Sequence, residues 1–407
     1  MTANPAVTDA DIDLDEAAVA ELCHQLLAEL DPKVVPAEQF LGRQFDLGLA
    51  WVHFPVGHGG LGGSAKLQKT IQEILWPAGA PIAMFRNPIG YGMGAPTVVT
   101  HGSPVQKERY LRPLFTGEEI WCQLFSEPGA GSDVAGLATK AERDGDEWVV
   151  NGQKVWTTLA HRSRWGMLLA RTDPDQLKHQ GMTYFVVDME QPGVEVRPLR
   201  QLTGEAEFNE VYFTDARIPD HERLGAVGDG WRVAITTLMN ERVSIGGAIA
   251  PRGAGIIGQA VHRYRKRVQT HGEDPAMRDE LMRFWIRAEV LRLTNIRAAT
   301  ARRAGSPGPE GSIAKLAMAE LNKELTAFVV DLMGPEGMLL GDSYEFRRPE
   351  TAMGFASYQK QFLRARANSI EGGTSEVMRN ILGERSLGLP GDVRIDKDQP
   401  WSRIPRG

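Results

Sequence analysis

Apolar residues recur at helical spacing near the start of the chain: Val19, Leu22, Leu26, Leu27 and Leu30, then Leu67, Ile71, Ile74 and Leu75. Between these stripes Pro55-Val-Gly-His-Gly-Gly-Leu-Gly-Gly-Ser breaks any helix, and Ser64 is placed to cap the second stripe. From Glu118 to about Arg223 the pattern turns to short runs rich in β-formers, separated by Pro and Gly. Trp121–Phe125, Met167–Ala170, Thr183–Val187, Val194–Val196 and Glu210–Phe213 are the predicted strands, as in a compact barrel or sandwich. Glu147–Val150 and Lys154–Thr157 are expected as two more, joined by a turn at Asn151-Gly152. Helical periodicity returns at Gly230 and predicts Trp231–Ala250, Arg252–Val268, Asp274–Ala304, Gly311–Met333 and Ser375–Leu387, with breaks at Pro251 and Gly305–Pro309. These are long enough for an antiparallel bundle. The expected class is α+β: an N-terminal helical domain over 1–117, a middle β-barrel or sandwich domain over 118–223, a C-terminal four-helix-bundle domain over 224–390 and a flexible tail over 391–407. Residues 1–8 read as disordered.

A length of 407 residues supports this division, because one ordinary core does not grow so large. The net charge of -6 gives no reason to expect nucleic acid or an anionic membrane as partner. Cys23 and Cys122, far apart in apolar settings, point to a reducing compartment without a disulfide framework. No apolar run reaches membrane-spanning length, and the acidic start (Asp9, Asp11, Asp13, Asp15, Glu16) is unlike a signal peptide, so the expected location is cytoplasmic. The nine histidines show no metal-ligand spacing, so no metal is expected. Gly59-Gly-Leu-Gly-Gly lacks the strand-loop-helix context of a nucleotide fingerprint.

The chemistry gathers between Trp121 and Thr158. A polar, glycine-rich turn from Ser126 to Ser132 follows an apolar run, and the hydroxyls of Ser126, Ser132, Thr157 and Thr158 accompany the flat indole of Trp156. A planar, polar, phosphate-bearing cofactor needs that mixture: amides and hydroxyls for its edge and tail, an aromatic wall for its face. A surface hairpin with a well-packed Trp is the other reading of the same residues.

Phe125-Ser-Glu-Pro-Gly-Ala-Gly-Ser-Asp and Val150-Asn-Gly-Gln-Lys-Val-Trp-Thr-Thr resemble the first signatures of the acyl-CoA dehydrogenase family. Thr237-Leu-Met-Asn-Glu-Arg, Asp279-Glu-Leu-Met-Arg-Phe-Trp-Ile-Arg-Ala-Glu and Ile370-Glu-Gly-Gly-Thr-Ser-Glu-Val-Met-Arg-Asn-Ile-Leu-Gly-Glu-Arg resemble its C-terminal ones. The likeness runs from about residue 10 to Pro390 in the family's order. It implies an FAD-dependent oxidoreductase of lipid metabolism that converts an acyl-CoA thioester to the trans-2-enoyl-CoA. A Glu base removes the α-proton and hydride passes to flavin N5. Electrons then leave to an electron-transferring flavoprotein. Family members are mostly tetramers, so a homotetramer or dimer is expected. The alternatives are a non-catalytic or half-active subunit of a hetero-oligomer, or a flavin oxidase relative.

Carried over by motif, the resemblance implies that Leu124, Phe125 and Ser126 line the isoalloxazine, with Trp156 as its wall and Thr158 at its edge. Gly131 and Ser132 reach the cofactor or the acyl-CoA phosphates; Arg267 and Gln269 meet the FAD diphosphate and adenine; Thr374 and Glu376 meet the nucleotide. Arg267 also reads as part of a solvated basic face with Arg263, Arg265 and Lys266, and Glu376 as an early-helix acid behind a Thr374 cap. The sequence departs from the family's pattern at Thr270, at Asp331 and at the turn Gly334-Pro-Glu-Gly337. The base is a further departure. Many members place it just before a Gly-Thr, which here is Gly372, with no side chain to accept a proton; Glu371 lies one residue earlier. Others carry it on a bundle helix before an Arg, which here is Glu241 followed by Arg242. Glu241 is the favoured base, Glu371 the alternative, and Arg242 a neighbour to carboxylate or flavin. An ion pair of Glu241 with Arg242 or Arg232 is the bland reading.

Overall fold

The structure is a computed structural model that describes residues 14–246, 250–303, 308–340, 346–349, 357–391, 393, 396 and 398–405; the side chains of 241–246, 302 and 303 also fall outside it. The expectation for residues 1–8 lies outside the described residues. The chain forms two compact units, Met1–Tyr91 with Val98–Ile120, and Gly92–Thr97 with Trp121–Gly407.

The first unit holds the helices α1 (Glu16–Glu29), α2 (Ala37–Asp46), α3 (Gln68–Leu75) and α4 (Ala83–Arg86). α5 (Ala95–His101) is divided between the units and precedes α6 (Pro104–Thr116). The stripe Val19, Cys23, Leu26 of α1 is buried with Phe40, Leu49, Val52, Leu67, Ile71 and Leu75 in one core. Ser64 does act as a cap, its hydroxyl accepting from Lys66 N at 3.4 Å to open a short turn before α3. A capping box starts α6: Ser103 Oγ accepts from Gln106 N and Gln106 Oε1 accepts from Ser103 N.

In the second unit each predicted β-run overlaps a strand. The strands are β1 (Trp121–Leu124), β2 (Lys140–Asp144), β3 (Glu147–Thr158), β4 (Trp165–Arg171), β5 (Met182–Asp188), β6 (Val194–Pro198), β7 (Phe208–Pro219) and β8 (Arg223–Leu224). They pair in the order β6-β7-β3-β2-β4-β5-β8, with β1 parallel to β4. Residues of most of these strands, among them Leu124, Trp148, Val150, Leu168, Phe185, Val211 and Ile218, share one core.

The predicted Asn151-Gly152 turn is absent. β3 runs unbroken through these two residues, which form a bulge where the register against β7 slips between Val150↔Ala216 and Gly152↔Phe213. Pairing on both sides of the dipeptide outweighs its local turn preference. Asn151 spends its amide on Asp215 instead, donating from Nδ2 to Oδ1 at 2.9 Å while its own Oδ1 accepts from Asp215 N at 3.0 Å. Gly152 has φ 154 and sits against Thr139, where a Cβ would collide. The real hairpin lies one turn earlier, between β2 and β3 around Gly145 at φ 63.

Asp220, just after β7, accepts from Trp148 Nε1 at 2.8 Å and from Arg223, and these two partners pull its carboxyl from 3.8 down to about 2. A depressed folded pKa contributes stability that is complete above the unfolded value and lost as pH falls through the folded one. Asp220→Asn is therefore expected to cost about 1 kcal/mol at neutral pH in urea unfolding. The difference from wild type should shrink as pH falls from about 4 toward 2.

Helices α7 (Gly230–Gly246), α8 (Ile256–His271), α9 (Pro275–Arg303), α10 (Glu310–Met333), α11 (Tyr358–Ala365) and α12 (Ser375–Ile381) complete this unit. Tyr264, Leu281, Phe284, Leu325, Phe328 and Leu332 form the shared core of α8, α9 and α10. α7 is fixed by a buried hydroxyl chain in which Thr237 Oγ1 meets Thr97 Oγ1 at 2.9 Å and Tyr184 OH at 3.0 Å. The predicted loose tail is partly ordered: Trp401 is buried and Trp401–Arg403 forms a helical turn. Among the described residues no helix is long and apolar enough to cross a membrane, and no group of His, Cys, Asp and Glu could hold a metal ion.

Candidate functional site

The turn after β1 is closed by its own backbone, Glu127 N donating to Ala130 O at 3.1 Å and Ala130 N to Glu127 O at 3.0 Å. Beneath it lies a buried ion pair. Lys154, fully buried on β3, donates from Nζ to Glu127 Oε1 at 2.8 Å and to Phe125 O at 3.0 Å. Glu127 accepts further from Ala138 N and Thr139 N at 2.7 and 2.9 Å. Burial alone would raise the Glu127 carboxyl, but the Lys154 charge and these donors outweigh it and hold the group below its usual range. An inward-facing Lys and a motif Glu thus lock β1, the turn and β3 together, a role that sequence reading did not assign.

Past Lys154 the register slips again against β7, and Trp156 stands at φ 61. A positive φ at a bulky non-glycine residue costs about 1–3 kcal/mol and persists only where neighbours over-determine it. Here Val155 N donates to Ser126 O at 2.9 Å, which fixes the strand to the turn and brings Ser126 beside Trp156. The indole is 57% exposed, touched edge-on by Phe208 at 6.0 Å between centroids. Next to it Thr157 is buried, and among the described residues its Oγ1 has no hydrogen-bond partner. Thr158 is half-buried opposite Phe208. The side chains of Leu124 and Phe125 are buried. Leu124 belongs to the β core and Phe125 packs edge-on against Tyr184 at 5.8 Å. Gly131 and Ser132 are exposed in the loop beyond the turn.

A second cluster, from the C-terminal helices, reaches Phe208, the ring that touches Trp156. The Arg364 guanidinium lies over Phe208 at 5.4 Å and grips Glu371 with two bonds, 3.1 and 2.8 Å. Asn368 Nδ2 adds a third donor to Glu371 at 2.9 Å, and Arg364 also bonds Glu207 at 3.1 Å. Burial holds the Glu207 carboxyl above its usual range despite Arg364. Lys315, buried in α10, donates to the carbonyls of Asn368 and Gly373, pinning the loop at both ends. Gly372 and Gly373 have φ 63 and 95, a conformation that side chains resist.

The remaining candidates are not shown to join this cluster. Thr374 caps α12, its Oγ1 accepting from Val377 N at 3.1 Å, and Glu376 is an exposed first-turn acid 3.6 Å from Arg379, the arrangement of the plainer reading. Arg267 is half-buried and Gln269 exposed in the last turns of α8, while Arg263 on the same helix pairs with Glu336 of the altered turn at 2.9 Å. Asp331 is exposed. Glu241 and Arg242 lie on the α7 backbone, but their side chains lie outside the described residues. Arg232, the bland partner for Glu241, pairs with Asp229.

An exposed flat ring held in strain, a buried hydroxyl beside it without a partner among the described residues, and a fixed turn suit a planar cofactor edge, so the residues present fit a flavin. Family models match along nearly the whole chain: acyl-CoA dehydrogenase N-terminal domain over 16–118, middle domain over 122–216 and C-terminal domain over 228–387. The chain belongs to the acyl-CoA dehydrogenase family. It is an oxidoreductase of this FAD-dependent family, with a helical N-terminal, a β-sheet middle and a helical C-terminal part. Acyl-CoA dehydrogenase IpdE1 of Mycobacterium tuberculosis is 38% identical over 355 residues, 85% of this chain and 86% of that protein. The solved Tcur3481-Tcur3483 steroid acyl-CoA dehydrogenase is 25% identical, with a TM-score of 0.69 over 93% of this chain and 100% of that one. The ChsE4-ChsE5 complex of Mycobacterium tuberculosis is 26% identical, with a TM-score of 0.69 over 96% and 100%.

Proposed function

We propose that this acyl-CoA dehydrogenase removes the α-proton of an acyl-CoA thioester with Glu241 and forms the trans-2-enoyl-CoA. The observation that carries the reading is the exposed, strained Trp156 beside Ser126, a wall and an edge for the flavin ring. FAD, when bound, takes up the hydride from the β-carbon. Ser126 and Thr158 meet its ring edge, Arg267 and Gln269 its diphosphate and adenine, and Thr374 and Glu376 its nucleotide. Gly131 and Ser132, exposed beside the turn, meet phosphates of the cofactor or of acyl-CoA. Glu371 is a poor base in this arrangement. Three donors occupy its carboxylate, and Lys315 resists the one-residue shift needed to redirect it. Position 241 lies on α7 four residues after Thr237, whose hydroxyl meets Thr97 and Tyr184. Arg242 pairs with a carboxylate or lies by the substrate. Removing an α-proton also requires hydrogen bonds to the developing enolate oxygen in a water-poor cleft.

A base on a bundle helix suits a branched or ring-bearing acyl group, and the steroid acyl-CoA dehydrogenase among the structural neighbours supports the same class. Electrons leave to an electron-transferring flavoprotein. A screen of acyl-CoA thioesters with a dye acceptor tests the reading: turnover should favour bulky acyl groups, and inactivity with every thioester would refute it.

Met282, Ile286, Val290 and Leu293 form an exposed apolar stripe along α9, which a subunit contact would cover. A homotetramer or dimer built on this stripe is the assembly we favour. The ChsE4-ChsE5 neighbour, a complex of two chains, favours a second reading in which a related chain completes the assembly and this chain is a non-catalytic or half-active subunit of it. Ile286→Glu together with Val290→Glu is expected to reduce the mass seen by light scattering to a smaller species. An unchanged mass would remove α9 from the interface. Flavin absorbance of the chain purified alone separates the two assemblies, being retained in the first and lost in the second.

A further inference from the structure

The C-terminal segment does something the proposed chemistry leaves unexplained: it reaches back to the loop that carries Gly131 and Ser132. Trp401 is buried, its N donating to Gln176 O at 2.9 Å and its Nε1 to Gly136 O at 3.4 Å. Ser402 N donates to Pro174 O at 2.8 Å, so the segment docks main chain to main chain. The Trp401 ring lies 4.8 Å from the guanidinium of Arg171, a residue 2% exposed at the end of β4. That same guanidinium donates to Ala135 O at 2.7 Å and to Lys178 O at 2.9 Å. Lys178 in turn bridges Asp133 of the loop at 2.5 Å and Asp396 of the tail at 2.7 Å. The loop is therefore held at Asp133, Ala135 and Gly136, each time through a contact that involves the tail or a residue the tail covers. Gly131 and Ser132 next to these anchors remain exposed, and nothing lies within 4 Å of where a Gly131 Cβ would stand.

We infer that Asp396 and Trp401 form a strap that sets the shape of the loop Gly131–Gly136 for a phosphate-bearing ligand. This rests on the reading that Gly131 and Ser132 meet phosphates of acyl-CoA or FAD. Trp401 and Asp396 are positioning residues: they touch neither ligand nor reacting atoms. Removing the indole frees Gly136 O and uncovers Arg171, and the loop is then no longer held in one shape.

The test uses the full chain as wild type, Trp401→Ala, Trp401→Phe and Asp396→Asn. Hydrogen exchange of the peptide spanning residues 131–139 is read beside calorimetric binding of free coenzyme A and the FAD retained on purification. Trp401→Ala should speed exchange in that peptide alone and weaken coenzyme A binding about tenfold, a shift well resolved by calorimetry. With saturating substrate, kcat should stay within about twofold while KM rises, since the reacting atoms are untouched. Trp401→Phe, which keeps the ring over Arg171, should recover most of the loss, and Asp396→Asn, which leaves the core intact, should show a smaller change of the same kind. Loss of FAD in place of coenzyme A would assign the strap to the cofactor's phosphates. Unchanged exchange and binding in both Trp401→Ala and Asp396→Asn would overturn the inference. A wild-type chain that binds neither ligand would instead overturn the reading of the loop itself, a failure visible before any variant is made.

Discussion

Glu241→Gln should lower kcat by about a thousandfold, the scale of losing a positioned general base. Glu371→Gln, by contrast, should stay within about tenfold, because that carboxylate is spent on Arg364 and Asn368. At about 1.4 kcal/mol per tenfold, the first loss is about 4 kcal/mol of transition-state stabilisation. The amide is nearly isosteric, so flavin content and acyl-CoA binding should persist. Rapid-mixing kinetics with a good thioester substrate measure both variants. A large loss in Glu371→Gln with an active Glu241→Gln would move the base to the C-terminal loop and require that loop to rearrange on binding.

The second large effect is on stability. Lys154→Met should cost about 3–5 kcal/mol, since it leaves Glu127 buried and unpaired. The penalty should shrink on acidification. Without Lys154, burial dominates Glu127 and raises its folded pKa above the ordinary 4.5. A raised folded pKa gives stability that is complete below the unfolded value and lost as pH rises through the folded one. The variant should accordingly regain stability on acidification toward pH 4.5. Urea unfolding across this range is the measurement, and a cost independent of pH would mean that Glu127 is not the residue left exposed to burial. Adding Glu127→Gln to Lys154→Met should recover part of the loss, because no charge then remains in the core. Retained flavin in the folded fraction would show how far the pair also fixes Ser126.

How much is legible in the sequence depends on the range over which each signal acts. The strands and the long helices are local periodicities, and the motifs around Ser126 and Trp156 lie close enough in sequence to be read together. Asn151-Gly152 misleads because a dipeptide's turn preference is weaker than pairing with β7 on either side. Trp401, alone in a polar tail, carries no periodicity, and its burial depends on a site more than two hundred residues earlier, at Arg171 and Gln176. The Lys154–Glu127 and Arg364–Glu207 pairs are illegible for the same reason: each charge looks like a solvated one until the fold brings its partner. Leu124 and Phe125 show the converse limit, since a motif names a position but does not tell that its side chain is packed into the fold.

Catalysis as proposed requires a flavin that lies against Trp156 and is reduced by an acyl-CoA thioester. Anaerobic titration of the purified chain with a bulky, branched acyl-CoA tests it most directly. Wild type should bleach its visible flavin band, Glu241→Gln should bind the same thioester with its flavin still oxidised, and Trp156→Ala should lose flavin. A chain that keeps its flavin band unbleached under every thioester, or retains flavin unchanged without Trp156, would contradict the account.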